Sequence, residues 1–152
     1  MKKVAYYKGC LASLSAKELD ISTQALAPKL DIELYELESV TCCGAGDIHE
    51  AEPDYYLHLN ARILSYAAAT GANTLMTICN VCTLNLRQAN WQLKNDSALR
   101  DRVNLNLVSA GVPRPRRSAT SAASSIVRAA ASACGSSTAS RPASSAAWAA
   151  SA

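Results

Sequence analysis

The segment Val4-Ala5-Tyr6-Tyr7-Lys8-Gly9-Cys10 runs from four apolar or aromatic residues into a lysine, a glycine and a cysteine. Its opening is short and contains β-branched and aromatic side chains, so Val4–Tyr7 predicts a buried strand that ends at Gly9-Cys10. The same arrangement recurs twice. Ile32–Leu37 alternates apolar and acidic residues, as a half-buried strand does, and leads through Ser39-Val40-Thr41 into Cys42-Cys43-Gly44-Ala45-Gly46. Thr74–Ile78 reads as a third strand and ends at Cys79.

Helical patterns fill the intervals. Residues 15–30 predict one helix, with Ser15 as N-cap, Glu18 at capping-box spacing, and Leu19, Thr23, Leu26 and Leu30 as its apolar stripe. Pro28 weakens its last turn. Pro53 fits the first turn of a second helix whose buried face would carry Tyr55, Leu59, Ile63, Tyr66 and Ala67, with Gly71 as the stop. A third should run from Asn80 to about Lys94 with Cys82, Leu86, Ala89 and Leu93 on one side, and a short fourth over 97–107 with Leu99, Val103 and Leu107. Strand and helix in alternation predict an α/β fold: a small parallel sheet with right-handed crossovers and covering helices. Every early cysteine then follows the C-terminal end of a strand, the edge where open α/β sheets bind ligands.

Composition divides the chain in two. Residues 1–108 hold ten Lys/Arg and all twelve acidic residues, a formal charge of −2; residues 109–152 hold five Arg and no Lys, Asp or Glu. The overall charge of +3 therefore comes from the second segment and argues no nucleic-acid partner for the first. Of the last 44 residues, 15 are Ala and 12 are Ser, and none is Leu, too little apolar bulk to offset the entropy of ordering. The expected organisation is one α/β domain over 1–108 and a disordered, low-complexity Ala/Ser/Arg/Pro tail over 109–152. No apolar run reaches the ~20 residues of a membrane helix, so no direct membrane insertion is expected. No secretory leader is evident at Met1-Lys2-Lys3, and the expected location is cytoplasmic.

In a reducing compartment, regularly spaced cysteines indicate metal or redox chemistry more than structural disulfides. Cys10 is followed after 31 residues by Cys42-Cys43, and after 35 more by Cys79-x-x-Cys82. A C-x-x-C pair at a helix start can direct two sulfurs at one centre, and the helix N-terminus favours thiolate. Two adjacent thiolates are accommodated more easily by separate irons than by one small ion. Five exceed the four of a tetrahedral zinc site, and soft thiolates suit an iron–sulfur cluster. The alternatives are a zinc-binding structural module, a metal-free dithiol at Cys79 and Cys82, and small core residues at Cys42 and Cys43.

The pattern C-x31-C-C-G-x34-C-x-x-C, with Tyr7-Lys8-Gly9-Cys10, Cys42-Cys43-Gly44 and Cys79-Asn80-Val81-Cys82, resembles the cysteine-rich CCG domain found in the B subunit of heterodisulfide reductase. Similar domains occur in the iron–sulfur subunits of lactate- and glycolate-oxidising systems and in some succinate dehydrogenase or fumarate reductase complexes. The resemblance covers about residues 1–112 and implies a Rossmann-like α/β domain. It also implies a noncubane 4Fe–4S cluster with Cys10, Cys42, Cys43, Cys79 and Cys82 as its five ligands. An oxidoreductase role follows from it, in disulfide reduction or electron transfer, with other iron–sulfur and flavoprotein subunits as partners and a place peripheral to a membrane complex in some relatives. It singles out no catalytic side chain.

Members of that family usually carry two CCG motifs, whereas this chain has one, and Cys134 has no motif around it. We read the change at Ser109 as a truncation or frameshift, because out-of-frame reading of GC-rich DNA yields Ala, Arg, Ser, Pro and Gly. A second CCG motif in another frame of the locus is the expected finding; its absence there would discard this explanation. Among other residues, His49 follows the Cys42-Cys43 loop as a candidate ligand or proton donor, though a surface histidine is the simpler reading. His58 reads as surface or packing, Asn80 as a helix cap, Trp91 as a packing or interface aromatic, and Arg114, Arg116 and Arg117 as chance composition.

Overall fold

The structure, a computed structural model, describes residues 1–113. The expected tail from residue 114 onward, including Arg114, Arg116, Arg117 and Cys134, lies outside the described residues. The chain runs β1 (Lys2–Tyr7), α1 (Gly9–Leu14), α2 (Lys17–Leu26), a 3-10 turn (Ala27–Leu30), β2 (Ile32–Glu36), α3 (Asp47–Ala51), α4 (Pro53–Ala69), β3 (Leu75–Thr77), α5 (Asn80–Asn95) and α6 (Ser97–Ser109). The three strands form a parallel sheet in the order β2-β1-β3. Lys2 pairs with Ile32 on one side, and Ala5 with Leu75 on the other. The α/β fold with a small parallel sheet expected from the alternating pattern is thus present.

β1 is the middle strand, and Val4, Ala5, Tyr6 and Tyr7 are all buried, as covered parallel strands are. Successive side chains leave on opposite faces. Tyr6 donates its hydroxyl to Asp20 Oδ1 of α2 at 2.9 Å, while Tyr7 donates to the Thr41 carbonyl at 2.9 Å. Tyr7, Ala5, Leu75, Ile63 and Leu86 form one core cluster together with Cys43 and Cys82. A second joins α4, α5 and α6 through Tyr56, Leu57, Ala61, Ala89, Val103 and Leu107. Val112, just past α6, is buried in that cluster, and its N–H returns to the Leu107 carbonyl at 2.9 Å.

Several local expectations are corrected. The helix expected over 15–30 is two helices and a 3-10 turn. Ser15 closes α1, its N–H bonded to the Leu11 carbonyl at 3.0 Å, and α2 begins at Lys17 without a side-chain cap. Pro28 cannot donate the bond that would continue α2, and it falls in the first turn of the 3-10 segment, where that donor is not required. α2 contains no buried residue, and Leu19, Leu26 and Leu30 are exposed rather than forming a core stripe. The helix is tied to β1 through Asp20 instead. On α4, Tyr55 is exposed and Tyr56 is buried. That helix has residues in both core clusters, so its buried surface is wider than one stripe. The five-residue α3 is too short to show a period and was not expected.

Candidate functional site

Parallel strands place all their C-terminal ends on one edge, and the order β2-β1-β3 sends the two crossovers to opposite sides of β1. The cysteines collect at that edge. Cys10 enters on the first turn of α1, two residues after Lys8 leaves β1. Cys42 and Cys43 arrive on the loop that follows β2, whose start is held to β1 by the Leu37 N–H bonded to the Tyr6 carbonyl at 2.9 Å. Cys79 is the N-cap of α5 and Cys82 lies in its first turn.

The sulfurs meet in a connected set. Cys42 Sγ lies 3.5 Å from Cys10 Sγ, and Cys43 Sγ lies 3.4 Å from Cys82 Sγ. Cys79 adjoins Cys82 and Cys42 adjoins Cys43, which links the two pairs. Exposure falls from the rim inward: Cys10 is exposed, Cys42 and Cys79 are half-buried, and Cys43 and Cys82 are buried. Among the described residues, no three His, Cys, Asp or Glu side chains gather about one point where a single metal ion would sit.

The turn after Cys43 aims donors at the sulfurs. Gly44 has φ +75, a left-handed conformation open to glycine, and its N–H points at Cys42 Sγ from 3.5 Å. Contact with the Cys82 thiol brings the Cys43 thiol down to about 6, against the cost of burial, with help from the Asn85 amide and the Ala45 N–H. Cys82 moves the other way, raised by its contact with Cys43 and then by burial. Burial raises the Cys42 thiol despite the Gly44 donor.

Two buried asparagines support the loop, and the sequence pattern did not single out either. Asn60 of α4 donates through Nδ2 to the Cys43 carbonyl at 2.8 Å and to the Tyr56 carbonyl at 2.9 Å. Asn85 of α5 donates through Nδ2 to Cys43 Sγ at 3.4 Å. The available signal was spacing: Asn85 stands three residues after Cys82, on the side of α5 that carries Leu86 and Ala89 into the core.

The remaining candidates play other parts. His49 stacks on Tyr56, with ring centroids 4.0 Å apart. His58 bonds through Nδ1 to the Asp54 carbonyl at 2.6 Å and through Nε2 to Asn106 at 3.0 Å. Asn80 accepts the Val81 N–H at 2.9 Å through its own side chain, a local contact at the helix start. Trp91 is exposed. Lys8 pairs with Glu36 and, at 3.7 Å, with Asp20. Beside Cys10 and Cys42 opens a cavity of about 550 Å³, lined by Lys8, Ser13, Leu14, Glu36 and Val40 among others.

Residues 4–87 match the family described as the CCG cysteine-rich domain. The membrane anchor of the 8-methylmenaquinol:fumarate reductase from Wolinella succinogenes is 37% identical over 103 residues, which is 68% of this chain and 35% of that one. The B subunit of the Ferredoxin/F(420)H(2)-dependent CoB-CoM heterodisulfide reductase of Methanosarcina acetivorans is 26% identical over 101 residues, 66% of this chain and 33% of that one. A protein of Archaeoglobus profundus, named for its likeness to the heterodisulfide reductase B subunit, is 28% identical over 112 residues, 73% and 37% of the two chains. This chain spans about a third of the length of these relatives. Among the described residues, no helix is long and apolar enough to cross a membrane.

Proposed function

Because this chain belongs to the cysteine-rich CCG domain family, we propose that it is an iron–sulfur electron-transfer subunit, with Cys10, Cys42, Cys43, Cys79 and Cys82 holding a noncubane 4Fe–4S cluster. The observation that carries the reading is the connected set of five thiols at one sheet edge, delivered by three separate strand ends as two contacting pairs with Cys79 beside Cys82. The donor set suits such a group. Its ligands are all sulfur, and backbone and amide N–H groups face them. Five sulfurs exceed the four that a tetrahedral ion takes and suit a group with several irons.

A bound cluster would accept and pass single electrons; the chain's residues hold it, exclude water around Cys43 and Cys82, and leave the Cys10 side open to a partner or substrate. The named relatives divide between disulfide reduction and a membrane-associated fumarate reductase. Our first reading is a role like that of the heterodisulfide reductase B subunit, alongside other iron–sulfur and flavoprotein subunits. The 37% identity to the fumarate reductase anchor favours, as a second reading, a place in a complex docked on the membrane.

Anaerobic reconstitution tests the shared part. The expected result is about four iron and four sulfide per chain. Single Ser substitutions at each of the five cysteines should lower iron content or alter the visible spectrum, whereas Cys134→Ser should match the parent. Stoichiometric zinc without iron uptake would leave a structural zinc module, and a colourless protein with a titratable disulfide would leave a dithiol. Parental spectra in both Cys42→Ser and Cys43→Ser would replace the five-ligand site with a four-ligand one.

A further inference from the structure

Asn85 is an amide in a place where a small apolar side chain would be expected. It is 3% exposed on α5, followed by Leu86, which is buried in the core. A buried carboxamide is costly unless its polar atoms are matched, and the match for its Nδ2 is the Cys43 sulfur, itself 1% exposed, at 3.4 Å. The residue is also held at its backbone. The Tyr56 hydroxyl, from α4, donates to the Asn85 carbonyl at 3.1 Å, and Tyr56 is in turn covered by the stacked His49 ring. The amide is therefore aimed from a fixed point of the helix into a dry pocket, where little water competes for the sulfur.

We propose that Asn85 is a positioning residue that sets the electron affinity of the centre bound through Cys43. The inference rests on the reading of Cys43 as a cluster ligand. One-electron reduction adds one negative charge, shared in part by the ligand sulfurs. An N–H dipole fixed against such a sulfur stabilises the more negative state more strongly, so it raises the reduction potential. The Gly44 and Ala45 donors belong to the backbone and are present whatever the side chains. Asn85 supplies the side-chain N–H among the contacts described at Cys43, whose other side-chain neighbours are thiols of the same set, and so is a point where substitution can tune the site.

The experiment is a mediated redox titration of the reconstituted full chain and of Asn85→Leu and Asn85→Gln. Leucine keeps the branching at Cγ and removes the donor; glutamine keeps the amide. With iron content equal to the parent, Asn85→Leu should show a reduced-to-oxidised ratio about tenfold lower at the parent's midpoint, roughly 59 mV for a one-electron couple. Asn85→Gln should recover part of that shift. Equal potentials in all three proteins would overturn the proposal. If Asn85→Leu fails to load iron, Asn85→Ala is compared with Asn85→Gln, and equal potentials there overturn it as well. Loss of iron in every variant would make Asn85 a packing residue, which also overturns it. A parent that takes up no iron would defeat the cluster reading itself, a result distinct from a loaded parent whose potential ignores Asn85.

Discussion

Gly9 lies directly against Cys82: a Cβ built on Gly9 would stand 3.2 Å from Cys82 Sγ, and Gly9 has φ +78. Two constraints coincide at this residue. The chain must turn from β1 into α1 through a left-handed conformation, and it must do so within contact of a buried sulfur. Gly9→Ala should cost about 1–2 kcal/mol in the metal-free protein. Gly71→Ala serves as the comparison, because Gly71 has φ +74 and nothing within 4 Å of its built Cβ. The excess loss in melting temperature for Gly9→Ala over Gly71→Ala reports the sulfur contact. Equal losses would mean that backbone strain alone matters at Gly9.

Asn60 is the second prediction. It is 0% exposed, and its Nδ2 serves two carbonyls, those of Cys43 and Tyr56. Removing it leaves the buried Cys43 carbonyl without this donor. Against that, Asn60 Oδ1 is itself buried without a partner, so its removal recovers a little. The expected net loss for Asn60→Ala is about 2 kcal/mol in urea unfolding of the metal-free chain. An effect below about 0.5 kcal/mol would show that the Cys43 loop finds another donor.

Asparagines such as Asn60 and Asn85 mark the boundary of what the sequence disclosed. The sheet was legible because each strand is short, apolar or alternating, and is followed within six residues by a cysteine, and parallel topology then brings the three ends to one edge whatever the loops do. The partners of individual sulfurs were not. Cys82 shares a C-x-x-C with Cys79, yet it meets Cys43 at 3.4 Å, from 39 residues away, because the loop after β2 folds back over α5. An amide on a helix looks like a surface residue until the neighbouring helix is known, and Tyr55 and Tyr56 exchange places for the same reason. The leucines of α2 misled in the opposite sense: a helical period of apolar residues states that a face can be buried, and here Asp20 fixes the helix while the leucines stay exposed.

Asp20 gives a prediction in pH. Burial opposes its ionised form, but hydrogen bonds from Gln24 and Tyr6 and the Lys8 ammonium outweigh this and hold the carboxyl below its usual value. A carboxyl depressed on folding contributes stability that is present above its unfolded pKa of about 3.9 and lost as pH falls through the lower folded value. Asp20→Asn removes that contribution. Parent and variant should differ most near neutral pH and converge as melting is followed from about pH 6 to pH 3. A gap that stays constant over that range would assign the Asp20 effect to packing on Tyr6.

The end of the folded unit can be tested by two deletions. Composition changes at Ser109, yet α6 runs through Ser109, and Val112 is 6% exposed beside Val103 and Leu107. Its N–H also closes the helix on the Leu107 carbonyl at 2.9 Å, so one residue supplies both a cap and a core contact. A chain ending at residue 108 loses both. Burial of one valine side chain contributes about 1.5 kcal/mol and the cap some of the same order, so that chain should melt roughly 10 °C below the parent. A chain ending at residue 113 keeps both contacts, and the residues removed are poor in large apolar side chains, so its melting temperature should stay within about 2 °C of the parent. We therefore propose that the domain ends at Pro113, past the change of composition, because its contacts reach Val112. If the longer chain falls as far as the shorter one, residues beyond 113 pack against the domain, and this placement is wrong.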